Sequence, residues 1–348
     1  MGVLEKMKQT IYEIAKEAGV SIATVSRALN PETRSKVAPE TLEKIQAVVE
    51  KYGYTPNLAA RNLVKTSYKT LGVIFPHHPG IFAEDYYHRI LCGVTDAVLE
   101  SDYHFKMVLL KNGKPRWDRY HFKSAEGVDG LIVTHWRAFF TDATVLERLD
   151  VPCIIINDPE KNIQAQFVSG DHFQGGRLAA EYLYGRGHRQ MAVLTGPPDS
   201  IDSSLRLKGF QTFLSEAGIE INPGLIQCGH FQEEKAMALV EPLLKEYPDI
   251  TAIFCCNDAM AFGVLKKMSQ LGIRCPDQIS VMGYDGDTRG ESQTPPLTTL
   301  EVPLYQLARE AVKRLIQFLT EEKKGRFFFY DPILWPVTLV ERKSVKAL

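Results

Sequence analysis

The sequence predicts a small all-α helix-turn-helix head with a hinge helix, followed by an α/β core of two similar parallel-sheet subdomains. Three observations predict it. A length of 348 residues exceeds what one hydrophobic core normally serves. The first 52 residues carry the cap and stop signals of three short helices. After Lys69 the pattern changes to short β-rich apolar runs alternating with amphipathic helical stretches.

The head is built from local signals. Thr10 and Glu13 form a capping box, Ile11, Ile14, Ala15 and Ala18 share one helical face, and Gly19 stops the helix. Ser21 opens a second helix whose inner face is Val25, Ala28 and Leu29, ending at Asn30-Pro31. Two short helices about a Gly19-Val20 turn make a helix-turn-helix. A third, from about Pro39 to Tyr52, closes the core with Leu42, Ile45, Val48 and Val49. Ile22, Ala23, Ser26 and Arg27 cannot face that core, and Ser21 and Thr24 lie beside them. Short hydroxyls suit phosphate contacts, an arginine suits guanine, and small apolar groups suit a thymine methyl. The same positions also read as an ordinary solvated helix face. In the segment that follows, Pro56 sets an extended entry and Asn57 can cap. The run to Val64 is about two turns, too short to be stable alone in water, so it should fold only against a partner.

In the body, the apolar runs are 70–75, 105–110, 130–134, 153–156, 190–195, 252–256 and 279–283. Parallel sheets with covering helices bind ligands at the C-terminal ends of their strands. Asn157 and Asp158 follow the fourth run, Asn257 and Asp258 the sixth, and Tyr284 and Asp285 the last. Such groups can converge on a ligand rich in hydroxyls. Asn and Asp at these places also cap the next helix, and Asp258 is placed to cap one that starts near Ala259. Arg206 shares a helix face with Leu205 and Phe210, so it needs a carboxylate or a ligand as partner.

Other features narrow the function class. Six cysteines without C-x-x-C spacing read as reduced structural thiols. His77, His78 and His88 near Asp85 lack metal-ligand spacing, and Gly185-Arg186-Gly187-His188 reads as a helix end rather than a phosphate loop. With no nucleophile triad, no metal and no cofactor motif, neither an enzyme nor catalytic residues are expected. The chain shows no secretory n-region and no membrane-length apolar run, which reads as cytoplasmic. Charge is uneven. Up to Lys69 there are 11 Lys and Arg against 7 Asp and Glu, a balance of +4 in a chain of net −1, so the remainder carries −5. A basic head on an acidic body fits a nucleic-acid-binding module ahead of a larger domain.

The stretch from Tyr12-Glu13-Ile14-Ala15 to Ser26-Arg27-Ala28-Leu29-Asn30 closely resembles the N-terminal signature of the lactose-repressor/galactose-repressor (LacI/GalR) family of bacterial regulators, and 56–63 resembles its hinge helix. The resemblance continues through Gly72-Val73-Ile74, Val128-Asp129-Gly130, Arg206-Leu207-Lys208-Gly209-Phe210, Asn257-Asp258-Ala259 and Gly283-Tyr284-Asp285. It implies a helix-turn-helix domain at 1–56, a hinge and linker at 57–69, and a periplasmic-binding-protein-like core at 70–348. Within the core, it puts one subdomain at about 70–167 and 300–325 and the other at about 168–299 and 326–342.

The resemblance further implies a cytoplasmic, nucleoid-associated homodimer that binds a pseudo-palindromic double-stranded DNA operator as a repressor. The DNA contacts would be Ser21, Ile22, Ala23, Thr24, Ser26, Arg27, Asn57, Ala60 and Leu63, with Leu63 wedged into the minor groove. Val64 stands where many members carry a lysine. The implied effector site has Asn157, Arg206, Asn257 and Asp285 as hydrogen-bonding residues, Ser200 and Asp202 beside them, and Tyr86, Tyr87 and Phe231 as aromatic faces. Purine-responsive relatives have an arginine at the place of Ser200, which favours a mono- or disaccharide over a nucleoside or purine. A solute-binding protein without regulatory role is the remoter alternative.

Overall fold

The computed structural model describes residues 10–29, 33–52, 54, 67–76, 80–108, 121–134, 136–138, 149–159, 166–322 and 333–348. The chain divides into two compact units, 1–68 and 69–348.

In the first unit, α1 (Ile11–Ala18), α2 (Ile22–Ala28) and α3 (Pro39–Tyr52) enclose a core of Ile14, Ala15, Val25, Ala28 and Ile45. The caps are those the sequence predicts. The Glu13 carboxylate accepts the Thr10 N–H at 2.7 Å, Gly19 takes a left-handed φ of 66°, and the Ser21 hydroxyl accepts the Thr24 N–H at 3.1 Å. Leu42, Val48 and Val49 pack half-buried at the edge of this core.

The second unit is organised by two parallel sheets. The first has six strands in the order β11-β5-β4-β3-β1-β2: β1 (Thr70–Ile74), β2 (His104–Val108), β3 (Gly130–Thr134), β4 (Cys153–Ile156), β5 (Gln166–Gly170) and β11 (Ile333–Trp335). The second has the order β7-β6-β8-β9: β6 (Met191–Thr195), β7 (Ile226–Cys228), β8 (Ala252–Cys255) and β9 (Ser280–Met282). Buried runs such as Gly130–Thr134 carry no polar alternation because helices cover both faces. The covering helices are α4 (Asp85–Leu99), α5 (Phe122–Glu126), α6 (His172–Gly185), α7 (Ile201–Glu216), α8 (Glu233–Glu246), α9 (Asp258–Gln270) and α10 (Leu304–Glu322).

Among the described residues, the chain crosses between the sheets three times. The first crossing follows β5, which ends at Gly170, so the break expected at 167/168 lies a few residues later. The second runs from β9 to β10 (Thr299–Glu301), which pairs antiparallel with β12 (Thr338–Val340). The segment assigned to the second subdomain, 326–342, needs correction. Ile333–Trp335 pairs parallel with Val168–Gly170, so the chain returns to the first sheet before its last crossing. That crossing ends at buried Ser344, whose hydroxyl donates to the Val281 carbonyl at 2.6 Å and accepts the Thr298 N–H at 2.8 Å. All six cysteines are free thiols, and burial pushes Cys153, Cys256 and Cys275 up to about 12, which suppresses thiolate chemistry.

The pair α6 and α7 carries much of the site and packs backbone to backbone. A Cβ at Gly176 would run into the Arg206 carbonyl, and one at Gly209 into the Phe173 carbonyl. Gly209→Ala should therefore push the helices apart and lower core stability by about 1–3 kcal/mol or more. Urea denaturation of the full chain checks this; an unchanged midpoint would show that the two helices are not packed this tightly.

Candidate functional site

The strand ends of the two sheets open onto a cavity of about 340 Å³. Of the nine effector residues expected from the sequence, eight line it: Tyr86 and Tyr87 from α4, Ser200, Asp202 and Arg206 from the start of α7, Phe231 before α8, Asn257 before α9, and Asp285 after β9. Asn157 stands behind them. Its side-chain amide donates to the Tyr86 hydroxyl at 2.7 Å, while its Oδ1 accepts the Gly170 N–H at 3.3 Å. The backbone is left-handed at Asn157 (φ 63°) and Asp158 (φ 48°), where the chain leaves β4. Burial pushes the Tyr86 and Tyr87 phenols up, so both stay neutral donors.

A charge network underlies the cavity. Arg206 is 3% exposed. Its Nη1 lies 3.2 Å from Asp285 Oδ1 and donates to the Cys256 carbonyl, its Nε donates to His172 Nδ1 at 3.4 Å, and its guanidinium stacks 3.9 Å from the Tyr284 ring centroid. Burial disfavours the charge, but Asp285, Tyr284 and Asp202 overcome this and hold the guanidinium protonated. His172 Nε2 faces Asp202 Oδ2 at 3.3 Å, and its Nδ1 is 3.0 Å from the Tyr284 hydroxyl. Burial alone would raise Asp202, yet His172, Arg206 and the Asp158 N–H hold its carboxyl below the ordinary value. Asp285 goes the other way: burial raises it despite Arg206, His172 and Arg89.

Two caps differ from expectation or add to it. Asn257, not Asp258, caps α9, accepting the Met260 N–H at 3.0 Å while its amide donates to the Phe231 carbonyl at 3.2 Å. Asp258 is instead the first residue of the helix, 1% exposed, where it accepts the Thr299 hydroxyl at 2.6 Å and the Asp287 N–H at 2.6 Å. Ser200 caps α7 by accepting the Ser203 N–H at 3.2 Å.

The cavity also includes residues that sequence reasoning missed. Arg89 lies one turn after Tyr86 on α4, and its Nη2 donates to the Asp285 carbonyl at 2.6 Å. Asp85, Glu233, Glu234, Asp287 and Arg289 line the cavity as well. The i, i+3 spacing of Tyr86 and Arg89 was the one signal available. His172, the first residue of α6, carried none.

In the head, Ser21, Ile22, Ala23, Ser26 and Arg27 are exposed on α2 and its N-cap, and Thr24 is half-buried. Asn57, Ala60 and Leu63, with the rest of the hinge at 56–63, lie outside the described residues, as do His77 and His78. Among the described residues, no three His, Cys, Asp or Glu side chains could hold a metal ion, and no helix is long and apolar enough to cross a membrane.

Residues 10–57 match the bacterial regulatory proteins of the lacI family, and residues 180–345 match the periplasmic binding protein-like domain. The chain is 30% identical over 322 residues to the HTH-type transcriptional regulator CelR of Thermobifida fusca, which is 91% of this chain and 94% of CelR. Identity is also 30% over 342 residues to the HTH-type transcriptional repressor PurR of Histophilus somni, covering 97% and 99% of the two chains. Among solved structures, a transcriptional regulator CelR–cellobiose complex aligns with a TM-score of 0.72 at 28% identity, and a lac repressor dimer bound to operator and the anti-inducer ONPF with 0.80 at 26% identity. Each alignment covers 97% of this chain and 99% of the other.

Burial raises the Asp258 carboxyl well above its ordinary 3.8. Folding therefore favours its protonated form, and the stability this contributes is complete below about 3.8 and is lost as pH rises toward the folded value. Wild type should lose stability between pH 5 and pH 8 more steeply than Asp258→Asn. Urea midpoints across that range measure the two slopes, and equal slopes would refute the assignment.

Proposed function

The chain belongs to the LacI family of bacterial regulatory proteins and is a DNA-binding transcriptional regulator rather than an enzyme, and from that premise we propose that it is a repressor controlled by a mono- or disaccharide in the core cavity. The convergence of Arg206, Asn257 and Asp285 with the rings of Tyr86, Tyr87 and Phe231 on one cavity of about 340 Å³ carries this reading. A pyranose presents an apolar C–H face and a rim of hydroxyls. Aromatic faces suit the first, and a guanidinium, an amide and a carboxylate suit the second. The CelR relative, solved with cellobiose, supports a sugar. The PurR relatives favour a purine, but Ser200, where purine-responsive relatives carry an arginine, supplies only a hydroxyl already engaged with the Ser203 N–H.

On DNA, two copies read a pseudo-palindromic operator. Arg27 contacts a base edge, Ile22 and Ala23 meet thymine methyls, and Ser21, Thr24 and Ser26 serve phosphates. Asn57 caps the hinge helix, Ala60 lies along the minor groove, and Leu63 wedges a base step there. Sugar binding changes the relation of the two core subdomains and with it the hinge's ability to pair. A differential affinity of about 1–3 kcal/mol between the two core states is enough for control.

Two experiments test this. A thermal-shift screen of the full chain with mono- and disaccharides should yield a hit, since a ligand at about 100 times its Kd adds about 2.7 kcal/mol. Arg206→Ala, or the milder Arg206→Lys, should lose that shift and the effect of the sugar on operator binding while keeping operator affinity. A sugar response that survives both variants would refute the pocket assignment. In the head, Arg27→Ala should flatten sequence preference, and Leu63→Ala should weaken specific binding while sparing non-specific binding. Titration of operator and random DNA at one salt concentration decides both, and equal losses on the two DNAs would remove these roles.

A further inference from the structure

We propose that the cavity selects against anions, so that the effector is an uncharged polyol and not a sugar phosphate, uronic acid or nucleotide. This rests on the effector reading above and deepens it. Among the described residues, eight carboxylates line the cavity against three guanidiniums. Asp258, which burial pushes toward its protonated form, can be set aside, and seven still face three.

Every one of those guanidiniums is already committed to a carboxylate of the same cavity. Arg206 pairs with Asp285 at 3.2 Å, Arg89 with Asp85 at 2.7 Å, and Arg289 with Asp287 at 2.5 Å. Glu233 and Glu234 add further negative charge at the rim, and Lys266, which reaches Glu233 at 3.4 Å, is not among the lining residues.

An entering phosphate or carboxylate would lose its hydration and find no cation that is not shared with an acid of the protein. Its attraction to each arginine would be offset by repulsion from the partner carboxylate a few ångströms away. Each further carboxylate near the bound anion adds repulsion that water screens poorly inside a cleft. Hydroxyls meet no such conflict. They donate to the carboxylates and accept from the same guanidiniums without disturbing either charge, so the paired ions serve a neutral polyol as a ready set of donors and acceptors.

The test is affinity measured by thermal shift and calorimetry at matched ionic strength. The full chain is titrated with glucose, ribose and cellobiose, with their phosphates and uronates, and with inorganic phosphate alone. Any sugar that binds should bind at least about tenfold more weakly once phosphorylated or oxidised, and Glu233→Gln with Glu234→Gln should narrow that gap. An anionic form that binds as tightly as its neutral parent overturns the proposal. So does inorganic phosphate that protects wild type but not Arg206→Ala. If no sugar binds in either form, the sugar reading fails, while the phosphate comparison still decides this one: absence of phosphate protection sustains anion exclusion.

Discussion

A guanidinium that is 3% exposed cannot be left without acceptors, and the organisation of the core around Arg206 follows from that constraint. Removing one partner from a buried ion pair costs about 3–5 kcal/mol, so each neighbour of Arg206 is held in place by the charge it balances. Asp285 lies at a left-handed φ of 101°, a conformation that a side chain normally avoids, and the pairing with Arg206 is what makes that backbone worth keeping. His172, Tyr284 and Asp202 then satisfy what remains of the charge. Close packing of α6 on α7 at Gly176 and Gly209 is the geometric condition for this, because His172 and Arg206 come from the two different helices.

The network reaches across the cleft. Asp158, from the first sheet's side, accepts the Ile201 and Asp202 N–H groups at 3.1 and 3.3 Å, and its own N–H donates to Asp202 at 2.9 Å. A carboxylate at a helix N-terminus is favoured by the unpaired amides and the helix dipole, so α7 is anchored to the first subdomain at its positive end. On the opposite wall, Thr288 donates to Asp85 at 2.8 Å and Arg89 to the Asp285 carbonyl. Opening the cleft must break such contacts, and a ligand that bridges the same groups opposes the opening. In the proposed mechanism, ligand occupancy and subdomain angle are coupled through these contacts, of which Asp85, Arg89, Asp202 and Asp285 also line the cavity.

Legibility in the sequence followed the range of the interactions. Capping box, glycine stop and the span of α3 are decided by residues within a few positions of one another, and the sequence predicts them closely. The buried central strands are visible as apolar runs, whereas β5, β7, β10, β11 and β12 are short and only partly apolar, and no run announced them. For β11 this cost the subdomain assignment, since only its pairing with Val168 reveals its sheet. Cavity residues at strand ends were readable because the fold class dictates where ligands bind. Arg89 and Arg289 were not, because each is defined by a partner or a loop that the sequence does not point to: Arg89 meets Asp285, 196 positions away.

Charge separates the two kinds of ligand this regulator handles. The first 69 residues carry +4 and the rest −5, and the cavity repeats the acidic sign of the body around it. Phosphate contacts make DNA binding electrostatic and steeply salt-dependent, so a polyanion is drawn to the head and not to the body. A core that had instead left its arginines unpaired would offer cations both to the nucleic acid and to every anionic metabolite. Among the described residues, Arg89, Arg206 and Arg289 are each paired internally with a carboxylate of the cavity, which is the condition that the proposed recognition by hydroxyl geometry and ring faces requires.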